Sequence, residues 1–168
     1  VDFAVWQREQ LKGEFLESEL SYWKEQLSGS SQVLELVTDF SRPAVQTSNG
    51  ALQSFKWPLS LSLALNELCN RENCTMFMTL LAVFQTLLYR YTGQEDMNIG
   101  TPIANRNRAE TELLIGFFIN TLVLRGTLSG NPSFVQLLKR VREMTLGAYS
   151  HQDLPFETLV GELHPQRT

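Results

Sequence analysis

Residues 76–91 place apolar side chains on almost every side of one helix: Met76, Phe77, Leu80, Leu81, Phe84, Leu87, Leu88 and Tyr91. A helix that is apolar nearly all round has no face to give to water, so it belongs between layers of other structure. It does not read as a membrane span. Thr79, Gln85, Thr86 and Arg90 interrupt it, and it is shorter than the roughly 20 apolar residues that a bilayer needs. Two runs rich in β-branched and apolar residues follow, 97–104 and 119–125, and both read as strands. A buried helix beside strands predicts a layered α/β unit with helices packed on a sheet.

The flanking segments fit that class. Residues 2–12 and 14–27 read as helices broken at Gly13. In the second, Phe15, Leu16, Leu20, Trp23 and Leu27 recur at helical spacing among Glu14, Glu17, Glu19, Lys24 and Glu25. Ser28 to Ser31 reads as a turn, and 32–49 as irregular chain with Asp39, Pro43, Asn49 and Gly50 as turn signals. Leu52, Phe55 and Trp57 lie in a short extended run that stops at Pro58. Ser60 is the expected N-cap of a helix through Leu61, Leu65 and Leu68, ending near 70–73. Thr75 caps the apolar helix and Gly93 ends it. A polar connection, 105–111, separates the two strands. Asn131, Pro132 and Ser133 open a long helix whose buried stripe is Phe134, Leu137, Leu138, Val141, Thr145 and Ala148. Its wet side carries Lys139, Arg140, Arg142 and Glu143, with a docking patch as the sharper reading. A loop at 151–155 leads to a last helix, 156–163, with Pro155 in its first turn. The predicted order is helix, helix, strand, helix, helix, strand, strand, helix, helix.

Composition narrows the function. The chain has 168 residues, 43% of them hydrophobic, which suits one core. Its net charge is −4, and residues 1–40 hold eight acidic side chains against three basic ones. A nucleic-acid binder would show a basic surplus, and none exists. Cys69 and Cys74 have only His151 and His164 as further soft ligands, without finger-like spacing, so no metal site is expected. Two small thiols suit a reducing cytoplasm. The chain opens on Val1 with no signal peptide, and reads as starting inside a longer protein. Gly100 and Gly116 do not form a phosphate cradle, because no Gly-rich loop opens a helix. Ser150, His151 and Asp153 suggest a hydrolase triad, but neighbours in sequence do not converge on one reacting atom. Anchoring of the 151–155 loop is the stronger reading of His151, Asp153 and Pro155, with Asp153 near a capping position.

Five segments carry a family resemblance. Val1-Asp2-Phe3-Ala4-Val5-Trp6 resembles the Y-x-D-F-A-V-W motif of nonribosomal peptide synthetase condensation domains, without its tyrosine. Ser21 to Leu27 is similar to the Y-W-K-x-x-L helix that follows it. Ile99-Gly100-Thr101-Pro102-Ile103-Ala104-Asn105-Arg106 is similar to the I-G-T-P-x-A-x-R strand. Ile115-Gly116-Phe117-Phe118-Ile119-Asn120-Thr121 resembles I-G-x-F-V-N-T, and His151-Gln152-Asp153-Leu154-Pro155-Phe156-Glu157 resembles H-Q-D-x-P-F-E. All are collinear with family-like spacing. The family's catalytic H-H-x-x-x-D-G is absent, since no His-His pair occurs, and its R-D-x-S-R-N-P motif would begin near 166–168.

The resemblance implies a chloramphenicol-acetyltransferase-like fold of two lobes around a tunnel, with residues 1–168 forming most of the C-terminal subdomain. It implies amide-bond formation between an acyl donor and an aminoacyl acceptor, both tethered as phosphopantetheine thioesters to carrier proteins. The proton-handling histidine then comes from the N-terminal half, so the fragment alone is expected to be inactive. No cofactor is bound directly, and 4'-phosphopantetheine arrives on partner carriers. Implied partners are the N-terminal half, peptidyl carrier proteins and a neighbouring adenylation domain, with no nucleic acid and no membrane. Asp2, Trp6, Gly116, Phe118 and Asn120 would line the tunnel or bridge the subdomains. Asn120 either orients substrate through its amide or satisfies backbone groups at a strand edge. Arg106 and Arg108 are candidates for a phosphopantetheine phosphate or an acidic carrier helix. The alternatives are a non-catalytic docking scaffold, or an epimerisation or heterocyclisation domain of the same fold. The isolated fragment is expected to expose an apolar face.

Overall fold

The computed structural model describes residues 2–164 other than 32, 42, 44 and 46. Val1 of the first motif and residues 166–168 lie outside the described residues, as does part of the 32–49 stretch. Two helices open the fold, α1 (Asp2–Gln10) and α2 (Gly13–Leu27), with Gly13 at φ 55° between them. A long irregular stretch leads to α3 (Leu59–Glu72) and α4 (Met76–Thr92). Strand β1 (Asp96–Ile103) and strand β2 (Asn120–Thr127) flank a one-turn helix α5 (Ala109–Glu112). The chain ends in α6 (Phe134–Ser150) and α7 (Phe156–Leu163).

Caps explain the main helix boundaries. The Thr75 hydroxyl accepts from the Met78 amide at 3.2 Å, which satisfies an otherwise orphan donor at the start of α4. At its end Gly93 adopts φ 70° and its amide donates to Tyr89 at 2.8 Å. Ser133 and Gln136 form a reciprocal capping box that starts α6. Ser60 does not cap α3. Pro58 occupies that position, with ψ 153°, and the helix begins at Leu59. The Pro58 carbonyl accepts from the Leu61 and Ser62 amides, which starts the helix, and no side chain caps it. The 52–57 run belongs to no strand, and its side chains are exposed.

The strands pair antiparallel, from Asp96 opposite Thr127 to Ile103 opposite Asn120. Leu122 and Leu124 point to the face crossed by α6, and α6 packs on α4. Val123 points to the opposite face, beside α7. Met78, Leu81, Leu124, Leu137, Leu138 and Val141 anchor the core. The buried stripe of α6 matches the sequence reading except at Phe134, which is exposed in the first turn of the helix.

Only one side of α4 is covered. Met78, Thr79, Leu81, Ala82, Gln85 and Leu88 are buried, whereas Phe77, Val83, Phe84, Leu87 and Tyr91 are exposed. The second layer that its composition calls for is not found among the described residues. Total accessible surface points the same way. A compact 19.2 kDa monomer exposes about 8,400 Å², and this chain exposes 12283 Å².

Candidate functional site

The motif residues gather where α1, the 104–119 connection and the 151–155 loop meet the start of β2. Asn120 is the hub. Its Nδ2 donates to the carbonyls of Gln152 at 3.0 Å and Leu154 at 2.9 Å, and its Oδ1 accepts from the Phe156 amide at 3.0 Å. Both amide protons are used, and one carbonyl lone pair remains. Asn120 thereby stitches the first residue of β2 to the loop that starts α7.

The same loop is tied at its other end. His151 Nδ1 meets Glu19 Oε1 at 2.8 Å, and its ring stacks on Tyr22 at 3.8 Å between centroids. The His151 carbonyl accepts from Trp23 Nε1 at 3.0 Å. Burial, reinforced by the Glu19 carboxylate, raises the Tyr22 hydroxyl pKa above its ordinary value. Asp153 does not cap α7. Pro155 holds the N-cap position, and Asp153 Oδ1 instead accepts from Asn107 Nδ2 at 3.4 Å. Ser150 Oγ donates to the Leu146 carbonyl. His151, Asp153 and Ser150 thus each face a different partner, and no triad assembles.

Arg106 and Arg108, two positions apart in the polar connection, differ sharply. The Arg106 guanidinium donates to the carbonyls of Thr111, Leu114 at 2.9 Å and Gly116 at 3.3 Å, and lies 4.2 Å above the Phe118 ring. Gly116 suits that approach, since a Cβ would sit 3.0 Å from the Phe118 ring and the ring would have to give by a few tenths of an ångström. Phe118 is buried and meets Phe3 edge-on at 4.8 Å. Arg108 stacks 4.0 Å over Trp6, and among the described residues its guanidinium makes no hydrogen bond. Asp2 is exposed. A recess of about 280 Å³ lies beside this stack, lined by Asp2, Phe3, Trp6, Arg108, Glu110, Thr111 and Leu114. On the other side of Trp6 a smaller recess of about 90 Å³ reaches Asn105 and Asp153. Beyond it Leu113, Ile115 and Phe117 project outward, which leaves an apolar lip.

Further along, Arg140 donates to the Thr127 and Ser129 carbonyls and Arg142 to that of Asn73, so these side chains of the basic face of α6 bind their own fold. Among the described residues no group of three or more His, Cys, Asp or Glu side chains is placed to hold a metal, and both cysteines are free thiols. Sequence reasoning missed Glu19 and Gln85. Helical spacing sets Glu19 among the wet charges of α2, yet it is buried. A helical-wheel phase one residue tighter around Trp23 was the available signal.

The match to known proteins runs the full length. The condensation domain family model aligns to residues 1–168. The chain belongs to the condensation domain family. Its relatives include one of the subunits of the linear gramicidin synthase of Brevibacillus parabrevis, 60% identical over 167 residues, which covers 99% of this chain and 3% of that relative. The SgcC5 protein from Streptomyces globisporus superposes with a TM-score of 0.88 at 34% identity, over 98% of this chain and 37% of the solved chain. The X-domain from teicoplanin biosynthesis gives 0.91 at 25% identity, over 99% and 38%. This condensation-family chain therefore spans a small fraction of the synthetase and over a third of the solved domains. The layered α/β fold with a small open sheet and packed helices agrees with these neighbours. No helix among the described residues is long and apolar enough to cross a membrane.

Proposed function

We propose that residues 1–168 are the C-terminal subdomain of a peptide-synthetase condensation domain that joins two carrier-tethered thioester substrates through an amide bond. The observation that carries this reading is the collinear family match over the whole chain, at 60% identity to part of a peptide synthetase. The reaction needs a neutral amine aimed at a thioester carbonyl, a group that takes its proton, and donors for the developing oxyanion. Tethering supplies much of the rate through proximity. No His-His pair is present in this sequence, and in this reading the proton-handling imidazole belongs to the N-terminal subdomain.

The role of this subdomain is to hold a wall. Asn120, with both amide protons committed to backbone carbonyls, is a positioning residue that fixes the start of β2 against the α6–α7 loop. Arg106 fixes the 111–116 turn from inside. Arg108 is the better candidate for a phosphopantetheine phosphate, because its donors are free while Trp6 holds its plane. Peptidyl carriers and an adenylation domain are the partners in the cytoplasm, and 4'-phosphopantetheine reaches the site on the carriers.

The test uses the intact condensation domain with a donor carrier and an acceptor carrier, each loaded with its aminoacyl group. Mass spectrometry of the acceptor arm is expected to show the dipeptidyl product with the intact domain and none with residues 1–168 alone. Arg108→Ala is expected to raise KM for the loaded carrier with little change in kcat. An intact domain that transfers the acyl group to water or inverts a stereocentre instead would replace this reading.

A further inference from the structure

The sequence carries one Asn-Gly step, Asn49–Gly50, and the fold does not use it as a hairpin turn. A type I′ turn at such a step needs positive φ at both residues. Neither Asn49 nor Gly50 has a positive φ, and both stand exposed outside any helix or strand. Among the described residues no hydrogen bond reaches the Asn49 side chain or the Gly50 amide. A Cβ at Gly50 would meet nothing within 4 Å. The Gly50 nitrogen is thus unbonded, and nothing crowds its Cα.

Those conditions favour attack of the Gly50 nitrogen on the side-chain carbonyl carbon of Asn49. The attack needs a free N–H, no side chain in the way, and backbone able to bring the two atoms together, and glycine meets the last two best. Each of the other eight asparagines lacks at least one of these. Asn66 and Asn70 lie within α3 and Asn98 within β1, where hydrogen-bonded backbone opens seldom. Both ends of the Asn120 amide are bonded. The Cys74 amide, next to Asn73, donates to the Cys69 carbonyl at 2.9 Å. Pro132, next to Asn131, has no N–H. Asn105 and Asn107 each precede an arginine, whose side chain crowds the nucleophile.

We propose that Asn49 is a site of self-modification, which converts through a cyclic imide to a mixture of isoaspartate and aspartate. The Gly50 nitrogen bonds to Asn49 Cγ as the Cγ–Nδ2 bond breaks, and Nδ2 leaves as ammonia with the Gly50 amide proton. Water then adds across one of the two ring C–N bonds. Opening at Cγ gives aspartate, and opening at the main-chain carbonyl gives isoaspartate. In sum, an amide and water become a carboxylate and ammonium, and nothing is oxidised or reduced. Either product adds one negative charge to a chain of net charge −4. The isoaspartyl product also lengthens the main chain by one methylene, just ahead of the exposed Leu52, Phe55 and Trp57. The reaction is spontaneous and runs one way, so its extent records the age of the molecule.

The experiment ages the intact condensation domain in heavy-oxygen water at mildly alkaline pH and maps its peptides by mass spectrometry. The Asn49 peptide is expected to take up heavy oxygen at least about tenfold faster than the peptide that holds Asn105 and Asn107. An isoaspartyl-specific carboxyl methyltransferase is expected to label it, because direct hydrolysis by water gives aspartate alone. Gly50→Ala is expected to slow conversion at least about tenfold with no change in urea midpoint, since its methyl meets open space. Uptake no faster than at Asn105 and Asn107, aspartate without isoaspartate, or a Gly50→Ala rate equal to the parent's would each overturn the proposal. So would conversion in residues 1–168 alone but not in the intact domain, which would mean that the step is covered in the working protein. None of these results bears on whether the domain forms an amide bond, so the two readings fail separately.

Discussion

The junction of α1, β2 and the 151–155 loop differs from the opposite side of the molecule in the way it is held. At the junction, polar side chains capture backbone groups far away in sequence: Asn120 reaches Gln152, Leu154 and Phe156, and Trp23 reaches His151. Among the described residues of 33–63 and the outer side of α4, hydrogen bonds are mostly local, as between Trp57 and Ser62 or Thr38 and Phe40. There the large side chains, Leu52, Phe55, Phe84, Leu87 and Tyr91 among them, stand in solvent. The first region is complete in its own geometry. The second is apolar surface without a cover, more than a free-standing monomer presents as patches. The contrast separates the contacts this chain makes for itself from the apolar surface it leaves open.

The largest effect is expected from breaking the complete region. In the intact domain Asn120→Ala leaves one buried carbonyl, one part-buried carbonyl and one part-buried N–H without partners, and the expected loss is about 2–4 kcal/mol in urea denaturation. Turnover then falls together with stability. A variant that kept its urea midpoint while losing turnover would instead place Asn120 on the substrate.

Gly126→Ala is expected to cost about 1–3 kcal/mol, because the new methyl overlaps the buried Gln85 amide and must displace it. Gly100→Ala is the control. A Cβ there meets the Thr121 methyl at an ordinary 3.5 Å, so its midpoint should shift by less than about 0.5 kcal/mol. Equal costs for the two would remove the argument that Gln85 is fixed in place.

The unfinished region gives a third test. Leu87→Ser in the intact domain is expected to cost about 1–2 kcal/mol if the outer side of α4 is covered there. A shift within about 0.5 kcal/mol would show that this face meets water in the working protein too.

These contrasts bear on what a sequence discloses. Caps and periodicity marked α4 and α6 to the residue, since Thr75, Gly93 and Ser133 act on neighbours a few positions away. Motif resemblance found Asn120 and Arg106, and charge in the polar connection added Arg108, but neither signal distinguished their tasks. A side chain's type shows that it can donate. It does not show which carbonyl a distant loop will bring to it. That is why Arg106, bound to Thr111, Leu114 and Gly116, looked equivalent to Arg108. Helix α5 is too short for any periodicity, and a helix apolar nearly all round does not show which of its sides is left uncovered. Ser60 was misleading because helical bonding already starts at the Pro58 carbonyl, which places Ser60 inside the first turn of α3.

The smallest effect belongs to the surface tie between the complete region's last helix and α2. Lys24 Nζ donates to Glu162 Oε2 at 2.8 Å, and both side chains are near half exposed. That hydrogen bond, with the lysine charge behind it, holds the Glu162 carboxyl below its ordinary range. The folded value is therefore lower than the unfolded one. Its contribution is fully present above the unfolded value of about 4.3 and disappears as pH falls through the lowered folded value. Comparing thermal midpoints of the parent and Glu162→Gln should show a small, constant gap from neutral pH down to about pH 5, closing at lower pH. The gap should also shrink in about 1 M salt, where the screening length is roughly 3 Å. A gap that widened on acidification would mean that Glu162 is stabilised in its protonated form, and that α7 is not tied to α2 by this pair.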